Sequence, residues 1–182
     1  MKNDIFNNIS PNEALEILRQ ITKTDKKLKK RIVELAENLF KDVDVDAVCG
    51  DVFYALDGID VHELWDRAGP RTDGYTSPVD MAAEMFEEAL EPFLQEMNRL
   101  LDLEMHQEAK LYCMGIAKGI YQYEEDSSSE FKDWATDVPG ESYSYIVNEW
   151  KKRGCNVKDK KEMREFIRND CPNWSEWAIN QI

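Results

Sequence analysis

The chain has 182 residues, of which 42% are hydrophobic, 33% charged and 10% aromatic, and its formal net charge at pH 7 is −14. This aromatic content excludes a disordered chain, and the length is sufficient to bury a core without disulfides. No apolar stretch approaches the ~18 residues of a membrane span, and the N-terminus lacks the apolar core of a signal peptide. With four widely scattered cysteines, these features predict a cytoplasmic protein with reduced thiols.

Helical periodicity runs through almost the whole sequence, and no alternating strand pattern of useful length occurs. The predicted helices lie, in chain order, at about residues 10–21, 25–40, 45–56, 60–66, 77–101, 104–123, 127–134, 142–153 and 159–169, with a last turn from 173. We therefore expect a single all-α domain spanning residues 1–182, with about eight or nine short helices in stacked antiparallel hairpins. The stack is either a helical-repeat, solenoid-like body or an irregular helical bundle, because no fixed repeat period is present.

Several predicted helices carry boundary signals. Their capping pairs, in which an N-terminal cap residue precedes an acidic residue by three positions, are Ser10 with Glu13, Asp60 with Glu63, Ser127 with Glu130 and Asp159 with Glu162. Pro92 lies inside the longest helical pattern, where it should kink or restart the helix. The turn-rich segment 67–76 predicts a loop. Gly115 and Gly119 lie one helical turn apart and predict a close helix crossing.

The sequence contains no complete catalytic motif. His62 and Glu63 resemble the start of an HExxH zinc motif, but Asp66 stands where the second histidine would be. The acidic segment 42–46 imitates the start of an EF-hand calcium loop, but it lacks the glycine and the bidentate glutamate that such a loop requires. We therefore expect no cofactor and lean towards a protein that is not an enzyme.

Charge is unevenly divided along the chain. Residues 1–41 have a net charge of +3, residues 42–149 have −20 and residues 150–182 have +3. Because the summed field of a protein selects which partners approach it, this division predicts a protein partner with a basic surface, or self-association. The acidic middle would repel a duplex, so we expect no direct nucleic acid binding.

The strongest acidic cluster lies on the longest predicted helix and consists of Glu84, Glu87, Glu88 and Glu91. Like charges four residues apart destabilise an isolated helix by about 0.2–0.5 kcal/mol per pair. No Lys or Arg on that helix lies within one turn of the cluster to compensate. The cluster is either a solvated helix face or a surface that binds a cationic partner.

The segment that precedes this helix combines aromatic and arginine residues, which are the types enriched in binding hot spots. Its candidate binding residues are Trp65, Arg67, Arg71 and Tyr75. Alternatively, the arginines bond helix C-terminal carbonyls and Trp65 belongs to the core.

The stretches LWDRAGPRTDGYTSPVDMAAEMFEEALEPFLQEMNRLL and EAKLYCMGIAKGIYQYEEDSSSEFKDWA resemble an uncharacterised prokaryotic helical family, whose segments occur beside SWIM-type zinc fingers. The resemblance covers about residues 62–136. The zinc-binding CxC and CxH pattern of those fingers is absent, so the resemblance implies a helical scaffold without an assigned function.

These observations favour a non-enzymatic helical scaffold or adaptor that binds a protein partner through its acidic surface. Two alternatives remain open from the sequence. One is a metal-dependent enzyme whose Asp and Glu ligands lie between facing helices, and the other is an acidic mimic of nucleic acid.

Overall fold

A computed structural model describes residues 7–71, 74–153 and 155–182, except for the side chains of Leu39 and Arg71. This part of the chain contains nine α-helices and one two-stranded sheet, which confirms the predicted all-α fold. The α-helices are α1 (Pro11–Thr24), α2 (Lys26–Phe40), α3 (Val45–Asp57), α4 (Val61–Arg67), α5 (Pro78–Asp102), α6 (His106–Asp126), α7 (Val138–Lys152), α8 (Val157–Asp170) and α9 (Ser175–Gln181). The chain divides into two compact units, Met1–Asp42 and Val43–Ile182.

The N-terminal unit is formed by α1 and α2, which contact each other and are joined by the single residue Asp25. The predicted capping box is confirmed: Ser10 accepts the Glu13 backbone N–H, and the Glu13 carboxylate accepts the Ser10 N–H. Both helices are strongly amphipathic. None of their described side chains is buried, so the described part of this unit has no enclosed core of its own.

The larger unit is organised around α6. This helix contacts α3, α5, α7 and α8, and 11 of its residues are buried. A helix that buries residues on most of its faces lies at the centre of its unit. The core around α6 therefore fixes the positions of the surrounding helices.

The crossing of α3 and α6 confirms the close contact predicted from the two glycines. A Cβ atom on Gly115 would lie 2.6 Å from the Val48 Cβ, and one on Gly119 would lie 2.6 Å from the Val52 Cβ. Real Cβ atoms do not approach this closely, so both positions need glycine for the observed helix separation.

The longest helix of the body, α5, contains Pro92 within its length. Helix α5 continues through Pro92 without a break, which excludes the predicted restart at this residue. Proline removes one backbone hydrogen bond, but α5 is held by its contacts with α3, α6 and α7. Tertiary packing thus overrides the local preference.

Several predicted boundaries were wrong. Within segment 67–76, expected to be a loop, strands β1 (Gly69–Arg71) and β2 (Gly74–Thr76) form an antiparallel hairpin. Its glycines have φ angles of 112° and 150°, which favour glycine over other residues. The sequence offered no alternating pattern because each strand has only three residues.

Two predicted N-caps are displaced, one by two residues and the other by three. Ser127 donates to Asp57 and accepts the Ser129 backbone N–H, while Ser129 itself caps a short 3-10 helix, Glu130–Trp134. Helix α8 begins at Val157 because Asn156 is its cap, and Asp159 completes a capping box with Asn156. Asparagine is as good an N-cap as aspartate, so the sequence pattern allowed both starts.

A buried ion pair joins α6 to α8. The ammonium of Lys110, only 2% exposed, donates to the Asp159 carboxylate over 3.0 Å and also contacts Glu162. Burial disfavours the charge, but hydrogen bonds to the two carboxylates outweigh this effect and raise the pKa of Lys110. The pair links α6 to α8, and loss of either partner would leave an uncompensated buried charge.

Aromatic side chains pack the C-terminal segment, which includes Trp174 and helix α9, against α6 and α7. Trp174 makes edge contacts with Tyr121 on α6 and Tyr143 on α7, with ring centroids 5.5 and 5.6 Å apart. The Tyr143 hydroxyl donates to the Ala178 carbonyl over 3.1 Å. Such pairs prefer edge-to-face geometry and add stability beyond their buried area.

All four cysteines are free thiols, and three of them are buried. Burial raises the pKa of Cys49 to about 11 and that of Cys171 to about 12.

None of the described helices combines the length and the apolar character that a membrane crossing requires.

Candidate functional site

The acidic face of α5 borders a groove between α5 and α7. The groove has a volume of about 450 Å³. Its lining side chains are Ala83, Glu87, Leu90, Glu91 and Leu94 from α5, and Val138, Glu141, Ser142, Tyr145 and Ile146 from α7. With a rise of about 1.5 Å per residue, the α5 wall is about 16 Å long, which corresponds to three helical turns.

The floor of the groove is apolar. Leu90, Val138 and Ile146 are each less than 9% exposed, so they form the fixed base. Tyr145 also lines the groove, and 55% of its surface is exposed. An aromatic residue in this position offers a large contact area at a low cost in conformational entropy.

The rim of the groove is acidic. Glu87, Glu91 and Glu141 are all exposed. Glu91 accepts a hydrogen bond from Gln95 over 2.7 Å, but no ion pair within the described ranges includes any of these three carboxylates. The groove therefore has an apolar floor and negative charge on both walls.

The predicted acidic cluster divides between two surroundings. Glu87 and Glu91 line the groove, and together with Glu84 and Glu88 they also border a shallower depression along α5. Arg67, at the end of α4, donates to both oxygens of the Glu88 carboxylate over 2.6 and 2.7 Å. The cluster is thus partly compensated by a residue from another helix, which a reading of one helix at a time could not find.

The residues predicted near Trp65 make varied contacts. Trp65 is 49% exposed and lies edge-on against Trp134, with the ring centroids 4.7 Å apart. Tyr75 is 70% exposed on β2, opposite Pro70 in the hairpin register. The side chain of Arg71 lies outside the described residues. The pair between Arg67 and Glu88 brings α4 against the acidic face of α5.

Sequence reasoning missed the α7 side of the groove. The sequence predicted that this helix starts at about residue 142, yet α7 begins at Val138. Pro139 at the second helical position was a signal for this earlier start, because proline is favoured in the first turn. With α7 starting at 142, Val138 and Glu141 could not be placed on a groove wall.

Two carboxylates of the calcium-like segment 42–46, those of Asp44 and Asp46, have structural partners. Asp44 caps α3 by accepting the backbone N–H groups of Asp46 and Ala47. Asp46 in turn pairs with Lys118 of α6 over 2.8 Å, and Lys118 also binds Asp170 over 2.9 Å. Across the described residues, no group of three or more His, Cys, Asp or Glu side chains is arranged to hold a metal ion.

Comparison of the chain with protein-family models, with curated proteins and with solved structures gave no match.

Proposed function

We propose that this protein is a non-enzymatic adaptor whose groove between α5 and α7 binds a cationic amphipathic helix of a partner protein. The observation that carries the proposal is the combination of an apolar floor with glutamates on both walls. Binding of an amphipathic helix in a hydrophobic groove is a recurrent mode of peptide recognition.

The dimensions and the charges of the groove support this choice of ligand. Three turns of groove wall suit a helix that places apolar residues at positions i, i+3 or i+4, and i+7 along one face. Lys or Arg side chains beside that apolar face would reach Glu87 and Glu91 on one wall and Glu141 on the other. The body as a whole is acidic, so long-range attraction would also speed the encounter with a basic partner.

The proposal can be tested with a synthetic peptide. The probe is a fluorescent helix of about 15 residues, because shorter helices are marginal in water. It has leucines along one face and lysines on both flanks. A peptide of the same composition, with its leucines scattered around the helix, is the control ligand. Fluorescence anisotropy should show saturable, salt-sensitive binding of the first peptide and at least about tenfold weaker binding of the second.

A matched pair of protein variants assigns the binding to the groove. Reversal of the three rim glutamates (Glu87→Lys, Glu91→Lys, Glu141→Lys) should weaken binding at least about tenfold. Three exposed glutamates elsewhere provide the control with the same change in net charge (Glu104→Lys, Glu130→Lys, Glu176→Lys). Equal losses in the two variants would contradict the proposal, because attraction would then come from net charge alone.

A further inference from the structure

The two helices of the N-terminal unit leave most of their apolar residues exposed. We call residues 11–40 the N-terminal helix pair. Its exposed apolar side chains, each between 42% and 56% accessible, are Leu15, Ile17, Leu18, Leu28, Val33 and Leu35. In contrast, the body buries its equivalent residues in a continuous core around α6.

A unit this small does not stabilise itself well. Folded units below about 40 residues usually need disulfides, metals or oligomerisation, and isolated helices of ~12–15 residues are marginal in water. The helices here have 14 and 15 residues. The unit contains no cysteine. Its apolar stripes therefore require a covering surface.

The charge pattern indicates what kind of surface covers them. Residues 19–31, around the junction of the helices, contain seven Lys or Arg and one Asp. Residues 11–18 and 32–40, the far ends of the two helices, contain four Glu and no Lys or Arg. Each helix thus has a basic half next to the junction and an acidic half away from it.

The charge pattern of each helix is complementary to that of the same helix in a second copy when the two helices run antiparallel. A two-fold axis perpendicular to a helix sets the same helix of a second copy antiparallel to it. This arrangement places the basic half of one copy beside the acidic half of the other, whereas a parallel arrangement would place like charges together. An anionic membrane would attract the basic halves but repel the acidic ones.

We infer that the N-terminal helix pair is a homodimerisation element, in which two copies associate antiparallel and cover each other's leucine and isoleucine stripes. The interface is isologous, so each contact occurs twice. It is formed by residues other than those that line the groove between α5 and α7, and the inference does not depend on that groove's ligand.

The first test is the mass of the full chain by sedimentation velocity over about a hundredfold range of concentration, since dimerisation depends on concentration. The wild type should form a species of twice the 21.2 kDa chain mass. The variant Leu18→Asp with Leu35→Asp should be monomeric. The control Leu103→Asp with Val157→Asp, which changes exposed apolar residues of the body, should still form the dimer.

Charge exchange provides a second test that does not depend on the apolar substitutions. Reversal of the seven basic residues (Arg19, Lys23, Lys26, Lys27, Lys29, Lys30 and Arg31→Glu) should weaken the dimer at least about tenfold. Additional reversal of the four acidic ones (Glu13, Glu16, Glu34 and Glu37→Lys) should restore it, because complementarity then returns with inverted sign on both helices. Circular dichroism and the urea unfolding midpoint show that each variant is folded.

Three results would overturn the inference. These are a monomeric wild type at the highest concentration, a dimer that survives Leu18→Asp with Leu35→Asp, and a charge-exchanged variant that remains monomeric although folded. Binding of the wild type to phosphatidylserine vesicles without dimerisation would identify a membrane surface as the occupant instead.

Discussion

A Cβ atom on Gly119 would lie 2.6 Å from the Cβ of Val52 and 2.8 Å from the Cys49 carbonyl oxygen. The crossing of α3 and α6 therefore depends on a missing side chain at this position. Because α6 also contacts α5, α7 and α8, a displacement at this crossing would be transmitted to both helices that form the groove.

The variant Gly119→Ala should lower the free energy of unfolding by about 1–3 kcal/mol, the usual cost of overpacking a dense interior. The control is Gly50→Ala. Gly50 lies within α3 with no atom within 4 Å of its missing Cβ, so alanine there should raise stability by about 0.5–1 kcal/mol. Urea unfolding measures both changes. Equal responses of the two variants would contradict the close crossing.

Loss of the hydroxyl group should change the stability of the protein differently at two buried tyrosines. Tyr143→Phe removes the hydrogen bond to Ala178 and should lower stability by about 0.5–1.5 kcal/mol. The Tyr123 hydroxyl is buried without a hydrogen-bond partner among the described residues, and burial raises its pKa. Tyr123→Phe should therefore be neutral or stabilising. Thermal unfolding of both variants checks this, and a clear loss with Tyr123→Phe would show that the hydroxyl is satisfied.

Removal of the buried ammonium should destabilise the packing of α8. Lys110→Met leaves the Asp159 carboxylate, 12% exposed, without its main partner, and we expect a loss of about 2–4 kcal/mol at pH 7. Lys158→Met is the control, because the Lys158 side chain is 82% exposed and a surface pair contributes about 0–1 kcal/mol. A loss no larger than that of the control would show that the pair is solvated.

The same pair predicts a pH dependence. Burial alone would raise the pKa of Asp159, but the hydrogen bonds from Lys110 and from the Asn156 backbone outweigh it and hold the pKa below the ordinary 3.8. The stability that the ionised Asp159 carboxylate contributes is therefore present above pH 3.8. It is lost as the pH falls through the pKa of Asp159 in the folded protein. The stability difference between wild type and Lys110→Met, measured by urea unfolding, should narrow between pH 7 and acid pH. A constant difference would contradict this linkage.

Local signals in the sequence were reliable guides to the fold. The capping box of Ser10 with Glu13 depends on residues three positions apart, and the spacing of Gly115 and Gly119 marks one helix face, so both features could be recognised before any contact was known. The start of α8 was misplaced because Asn156 and Asp159 are both good caps, and Asn156 is the one that caps the helix, in a capping box with Asp159.

The candidate site was less predictable because it joins elements that are distant in the chain. Glu87 and Glu91 were recognised by their spacing on one helix. Their counterpart Glu141 lies 50 residues beyond Glu91, before the start at about residue 142 that the sequence predicted for this helix. Similarly, the pairing of Arg67 with Glu88 spans 21 positions and has no signature in helical periodicity.

The central claim is that a cationic amphipathic helix binds between α5 and α7. The most direct test is a titration of isotope-labelled protein with the lysine- and leucine-bearing peptide, followed by backbone amide chemical shifts. We predict saturable shifts concentrated in residues 83–94 and 138–146, and their loss in the variant with reversed Glu87, Glu91 and Glu141. Shifts spread evenly over the acidic surface, or concentrated around Trp65 and Tyr75, would contradict the claim.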